Sequence, residues 1–380
     1  ELDPRHRYAS ADAFADDLER LLSLQPIQAR PAGPLRRAVK FVRRNHRMVL
    51  SAVCGALLVA AVAWPMVAQA GAREVAKAAA ARQLQVARSQ LLALDSLQAV
   101  SQRTFAGTSR QSLRRPSAEA AQVRSLQAAR AGFAAAVAAW SEAGDARREG
   151  EVIELALAVL AARSAAEPVR LRTAGAGLPD RVRRLAGELA FGRASEGLRR
   201  ELAAAPAAER FAGGLLAFLL GDLAASHACW HDLDQELPEH DLLEACLGLQ
   251  SASDGFSERA YLRLFHASRR FPGVPTVALA LADAALAMGD VALARSWLQA
   301  LPEDGGEGVT HARRQLLAAD LLAASGDRQG AARGYRELLR ADPTDPEPAL
   351  RLATLLGEDG DREASHRLLL ALLARLPHHA

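Results

Sequence analysis

The chain has 380 residues, of which 50% are hydrophobic and 24% charged, with a formal net charge of +3. That apolar content excludes a disordered polypeptide, and the length suits two or three domains. Ala and Leu dominate, aromatics are 4% and β-branched residues are sparse, which predicts an all-α protein and argues against sandwiches, barrels and parallel sheets. Three cysteines without a CxxC pair rule out a disulfide framework or a structural zinc ribbon.

Residues 3–11 read Asp-Pro-Arg-His-Arg-Tyr-Ala-Ser-Ala, and Ser10 is placed to cap a helix whose Phe14, Leu18, Leu21 and Leu22 fall at i, i+4, i+7 and i+8. One face of that helix is made for docking on a body that does not lie in this chain. The stretch DPRHRYASADAFADDLERLL, followed by a Pro/Arg-rich linker and an apolar span, resembles the last helix of bacterial eukaryotic-like (Hanks-type) serine/threonine protein kinases. The resemblance covers residues 1–28 alone. It implies that Arg7 matches the Arg that braces the kinase C-lobe through the Glu of an Ala-Pro-Glu motif, a partner missing from this sequence.

The catalytic motifs of such kinases are absent as well. The sequence has no Gly-rich phosphate loop, VAIK lysine, His-Arg-Asp loop or Asp-Phe-Gly; His6-Arg7 is followed by Tyr8, and residues 254–256 read Asp-Gly-Phe. This polypeptide therefore carries no phosphoryl-transfer machinery and no cofactor of its own. ATP and Mg enter only if kinase lobes lie upstream of Glu1, which the missing initiator Met leads us to expect is a fragment boundary.

From Met48 to Ala72 run 25 residues without Asp, Glu, Lys, Arg or His, about 37 Å of helix against a hydrocarbon core of about 30 Å. A transmembrane helix over 48–72 follows. Seven basic residues and no acid occupy 30–47, against four basic residues in 73–90, so the positive-inside rule places the N-terminus in the cytoplasm and everything after about residue 72 outside it. The expected location is the inner membrane, single-pass, with a periplasmic body. A buried core helix would be shorter and amphipathic. A signal peptide cleaved after Ala68-Gln69-Ala70 would need a 47-residue n-region, far too long. The segment 29–47 reads as a basic juxtamembrane linker whose charge attracts anionic headgroups.

Residues 73–206 read as a helical stalk and irregular helical hairpins, with breaks at Gly107–Pro116 and Pro168–Pro179 and a degenerate repeat over 180–206. From 207 to 380 the pattern is periodic. Gly221, Gly255, Gly289, Gly326 and Gly360 are spaced by 34, 34, 37 and 34. Seventeen residues after four of them stand Pro238, Pro272, Pro343 and Pro377, while the Gly289 unit closes early at Pro302. Seven residues before each lies a small side chain, Gly214, Gly248, Ala282, Ala319 or Ala353. This resembles the tetratricopeptide repeat, and implies an α-solenoid of helix hairpins with a concave groove.

Counting back from each turn glycine to the positions that face the groove in that family gives Phe211, Leu215 and Phe218 in the first unit, with Leu242, Ala245 and Leu249 in the second. Later units give Asp283, Arg313, Asp320, Glu347 and Thr354. The family's Lys/Asn carboxylate clamp is not matched, so the resemblance implies a protein or peptide ligand that is apolar or weakly basic. Self-association into a homodimer is a further way for such an array to act.

Other chemistry is thinly signalled. His227 and His231 have a zinc-compatible i, i+4 spacing, but form no HExxH and read better as exposed or packing histidines. Cys229 and Cys246 read as buried free thiols, although one disulfide between them is open. Cys54 reads as a small filler of the span. Nucleic acid is not an expected partner, because the basic charge is concentrated beside the span. The function expected from these features is the membrane-spanning, extracytoplasmic sensor part of a receptor-like serine/threonine kinase. The alternative is a membrane-anchored repeat scaffold of an envelope complex without a kinase.

Overall fold

The computed structural model describes residues 8, 10–23, 25, 34–93, 116–165, 173–255, 257–301, 309–343 and 345–375. Among them the structure is all-helical, with eighteen helices and no strand. Arg7, Pro302 and Pro377 lie outside the described residues. The chain divides into two units, Glu1–Ala76 and Lys77–Ala380.

In the first unit, α1 spans Ala11–Leu22, and Ser10 Oγ accepts from the Ala13 N–H at 3.2 Å, as the capping signal predicts. Its Phe14, Leu18, Leu21 and Leu22 are all exposed, and among the described residues Tyr8 packs edge-on against that apolar face, on Phe14 (ring centroids 5.1 Å). Helix α2 spans Pro34–Arg44 and α3 spans His46–Leu92. The apolar stretch of α3 is long and hydrophobic enough to cross a membrane, and none of its most apolar window is buried. Leu50, Leu57, Leu58, Trp64 and Met66 are exposed, unlike the side chains of a core helix. Pro65 sits inside α3, where its missing N–H and ring act on the preceding turn.

The second unit begins within α3, whose Ala87, Leu91 and Leu92 are buried. Helices α4 (Pro116–Ala139) and α5 (Gly144–Ala165) pack on each other. At Gly132 a β-carbon would lie 2.9 Å from that of Ala87, so α3 and α4 meet where α4 has no side chain. Next come α6 (Asp180–Phe191) and α7 (Glu196–Ala203), the stretch expected to be a degenerate repeat. Gly192 there is extended (φ 174°) and makes no left-handed turn.

Five helix pairs then follow in chain order. The first helices are α8 (Ala207–Leu219), α11 (Asp241–Ser253), α13 (Pro275–Ala287), α15 (Val309–Ala324) and α17 (Pro346–Glu358). Each packs on its partner, respectively α9 (Leu223–Trp230), α12 (Ser257–Arg270), α14 (Val291–Gln299), α16 (Arg328–Ala341) and α18 (Arg362–Arg375). The short α10 (Leu233–Glu236) follows α9. Packing runs between neighbours, α12 against α13, α13 against α15 and α16 against α17.

All five turn glycines have positive φ, from 82° at Gly221 and Gly289 to 90° at Gly326. Four of them build one repeated device. At Gly289 the N–H donates to Leu286 O (3.0 Å) and the next N–H, of Asp290, donates to Ala285 O (3.0 Å), the paired bonds of a Schellman stop. Asp290 Oδ1 then accepts from Leu293 N at 2.9 Å and starts α14. Asp222, Asp327 and Asp361 repeat both roles. The small residues seven positions earlier are contact points: a methyl group at Gly214 would lie 2.1 Å from Trp230 Nε1, and one at Gly248 2.8 Å from Leu264 Cγ.

The apolar interior is not one mass. A large cluster runs from Ala87 to Leu281 and contains Phe133, Phe218 and Trp230. Two smaller clusters serve the rest, one around Leu279, Leu298 and Leu317, the other around Leu316, Tyr335 and Leu352.

We predict that Asp290→Ala lowers the unfolding free energy by about 1 kcal/mol through loss of the cap. Gly289→Ala should cost about 1–2 kcal/mol, because a β-carbon is strained at positive φ. Urea titration followed by circular dichroism checks both; an unchanged midpoint in the glycine variant would mean that the turn relaxes freely.

Candidate functional site

Four of the eleven groove candidates converge. Asp283 on α13, Arg313 and Asp320 on α15, and Glu347 on α17 meet in a largely buried polar cluster with two residues that the positional count missed, Tyr335 on α16 and Arg351 on α17. Arg313 Nη2 lies 3.2 Å from Asp283 Oδ2, with both side chains almost fully buried. Arg351 bridges the other two acids, 3.1 Å from Glu347 and 3.8 Å from Asp320. The Tyr335 hydroxyl donates to Asp320 Oδ1 at 2.6 Å.

The cluster sits there because α13 packs on α15 and α16 packs on α17, and two repeat positions alternate along them: Asp283 and Asp320 stand six residues before their turn glycines, Arg313 and Glu347 thirteen before theirs. Helix α13 is apolar apart from Thr276 and Asp283, and nearly all of it is interior, so Asp283 needs the guanidinium that α15 supplies. Three carboxylates face two guanidiniums. Burial raises the pKa of Asp320, against the pull of Arg351, and burial likewise raises that of Glu347. The Tyr335 hydroxyl is held well above its ordinary value by burial and then by Asp320, so it remains a donor. Arg313 Nη1 is buried with no hydrogen-bond partner among the described residues. The cluster thus has three carboxylates against two guanidiniums and one spare buried donor; no nucleophile is paired with a base in it.

The other seven candidates lie elsewhere. Phe211, Leu215 and Phe218 are buried, with Phe211 against His240 (ring centroids 4.2 Å) and Phe218 against Trp230 (5.3 Å). They do not line an open surface. Every residue of α8 from Arg210 to Leu219 is interior, because α5 and α6 pack over it, and a helix apolar on all sides is covered on all sides. Leu242, Ala245 and Leu249 are interior as well, on a helix packed by α12, α13 and α9. Thr354 is exposed, and its hydroxyl donates to Leu350 O at 3.0 Å, outside the cluster.

A second buried network had no sequence signal. Arg88, near the end of α3, holds Glu149 of α5 through two nitrogens, Nε at 2.9 Å. His240 Nε2 lies 3.6 Å from Glu149 Oε1, while its Nδ1 accepts from Leu243 N and caps α11. Burial, and then the Arg88 charge, push the His240 pKa down from 6.5 to about 4, so the ring is neutral at physiological pH.

The cysteines and exposed histidines are also placed. Cys229 and Cys246 are buried free thiols; burial raises Cys229 to about 12 and Cys246 further. Cys54 is exposed on α3. His227 and His231 have ring centroids 6.3 Å apart and share a cavity of about 480 Å³ with Arg210, Asp232 and Glu236. Arg210 is fully engaged there by Cys229 O, His231 O and Glu236. Among the described residues no group of three or more His, Cys, Asp or Glu could hold a metal ion.

With this geometry in hand, comparison with known proteins is negative: no family's sequence pattern matches the chain and no curated protein matches it.

Two predictions follow from the two networks. Arg313→Met strands Asp283 in the interior and should cost about 3 kcal/mol, with partial recovery when Asp283→Asn is added; denaturant titration of the two variants decides. For His240, the unfolded chain binds a proton between pH 6.5 and about 4 that the folded chain does not. Stability present above pH 6.5 therefore falls as pH drops toward 4, by up to about 1.4 kcal/mol per unit. His240→Asn keeps a capping acceptor and should flatten that slope in unfolding curves taken at pH 6.5, 5.5 and 4.5.

Proposed function

We propose that this chain is the membrane-anchored, protein-binding part of a receptor-like serine/threonine kinase, in which a tetratricopeptide-like array binds a protein or peptide segment outside the cytoplasm. The observation that carries the binding half is the assembly of Asp283, Arg313, Asp320 and Glu347 from three successive first helices into one acid-rich cluster. The neighbour-to-neighbour packing of helix pairs and the repeated Gly-Asp turns support a solenoid. A ligand segment bearing Lys or Arg beside apolar side chains offers charge to Asp320 and Glu347 on the side of the cluster where Arg351 is partly exposed. The kinase half rests on the resemblance of residues 1–28, and the orientation on the basic flank of the apolar helix.

Binding is tested by selecting displayed random peptides against the full chain in lipid nanodiscs. We expect enrichment of basic-apolar peptides, and a drop in their affinity of about tenfold in an Asp320→Asn, Glu347→Gln variant, corresponding to one lost charge-assisted contact. Selected peptides without basic bias would sink the reading. The kinase half is tested by the intact mass of the native polypeptide from its own membranes. A mass larger than this chain's by a kinase domain supports it, and an equal mass leaves the anchored scaffold.

A further inference from the structure

Between α1 and the apolar helix, the sequence suggests a basic linker, but residues 34–44 form a helix of their own. Helix α2 has no Asp or Glu and ends on Arg43 and Arg44. At about 100° per residue, Leu35, Ala38, Val39 and Val42 fall on one stripe, Phe41 borders it, and the basic residues of the sequence occupy the remaining arc. Leu35, Val39, Phe41 and Val42 are exposed, Leu35 by 82%. Arg43 and Arg44 have no carboxylate partner among the described residues. The helix therefore presents an apolar stripe beside a cationic arc, and among the described residues nothing in its unit covers Leu35, Val39 or Val42 or pairs with Arg43 and Arg44.

Its place in the chain limits what can. Helix α2 stops at Arg44 and α3 starts at His46, with Asn45 a turn residue between them. Asn45 N–H closes the last turn of α2 on Phe41 O (2.8 Å), and Asn45 O opens the first turn of α3 by accepting from Val49 N (2.9 Å). The two helices are separate elements one residue apart. An apolar stripe joined to a cationic face, tethered one residue from a membrane span, fits a surface that is greasy below and anionic above.

We propose that α2 is an interfacial helix bound to the anionic leaflet beside the span, with Leu35, Val39 and Val42 entering the acyl boundary and Arg43 and Arg44 on phosphate-bearing headgroups. This rests on α3 being a membrane span and is independent of what the array binds. It goes beyond attraction of a charged linker, because it requires the helix to be folded, oriented and apolar-side down.

The test is hydrogen exchange of the full chain in nanodiscs of phosphatidylcholine alone and of phosphatidylcholine with phosphatidylglycerol. The span, residues 50–70, reports the anchor and should be protected in both. The α2 amides should exchange at least about tenfold more slowly in the anionic nanodiscs, and Arg43→Glu with Arg44→Glu should erase the difference. Val39→Glu, which leaves the basic face intact, should erase it too if the apolar stripe is inserted. Equal exchange of α2 in the two lipids overturns the proposal: fast in both means that the helix is unbound, and slow in both means that protein, such as a second copy, covers its stripe. Exchange of 50–70 as fast as in exposed helix would overturn the anchor itself, a failure visible separately from that of α2.

Discussion

Much of the second unit depends on a backbone constraint carried by two residues. A glycine at positive φ lets the ladder of a first helix close with paired bonds, and the aspartate after it accepts from the start of the second helix. One dipeptide thus supplies partners for backbone groups that would otherwise be orphaned at two helix ends. It also fixes the distance in sequence over which the chain reverses, so that Gly214, seven positions before Gly221, meets Trp230 at the end of the next helix. That contact is a consequence of the fixed reversal, and Gly248 meets Leu264 in the same way across Gly255, where the glycine alone has positive φ and no aspartate follows it. A β-carbon at either end of this arrangement, in the turn or at the contact, works against the same geometry.

Along the series of first helices, chemistry changes while geometry repeats. In α8 and α11 the inner positions are Phe, Leu and Ala, and they disappear into the largest apolar cluster. In α13, α15 and α17 comparable positions hold Asp283, Arg313, Asp320 and Glu347, and the apolar clusters beside them shrink. Buried ion pairs add little net stability compared with well-packed apolar side chains, but breaking one leaves a stranded charge. The C-terminal half is therefore less forgiving in register than it is strong. That property suits a surface in which charge positions, more than apolar area, discriminate between partners.

What could be read from sequence divides by the range of the interaction. The turns were legible because Gly and Asp act on backbone groups within five residues, and Ser10 was legible as a cap for the same reason. Glu347 and Arg351, at i and i+4, also lay within reach, yet the positional count selected the first and missed the second. Phe211, Leu215 and Phe218 were expected at an open surface because a repeat considered alone exposes those positions. Their cover comes from α5 and α6, some dozens of residues upstream in a region with no period to count. The Arg88, Glu149 and His240 network joins residues 61 or more apart in sequence, and no local pattern announces such a meeting. Helix α2 was read as a linker because charge dominated its composition, although its 3.6-residue segregation was present all along.

The division of the apolar interior into one large and two small clusters also sets an order of opening. Among the described residues, α18 leans on α17 and presents Leu370 and Leu373 to solvent, so the last pair is supported from one side. In stacks held by nearest-neighbour contacts, a pair with less apolar cover opens at lower free energy than a well-covered one. Water can then enter between α16 and α18 while Trp230 and Phe133 stay packed, and the Glu347 and Arg351 side of the polar cluster lies on the first pair to loosen. Opening of that pair therefore exposes the Glu347 and Arg351 backbone to exchange with solvent while the apolar body around Phe133 and Trp230 stays folded.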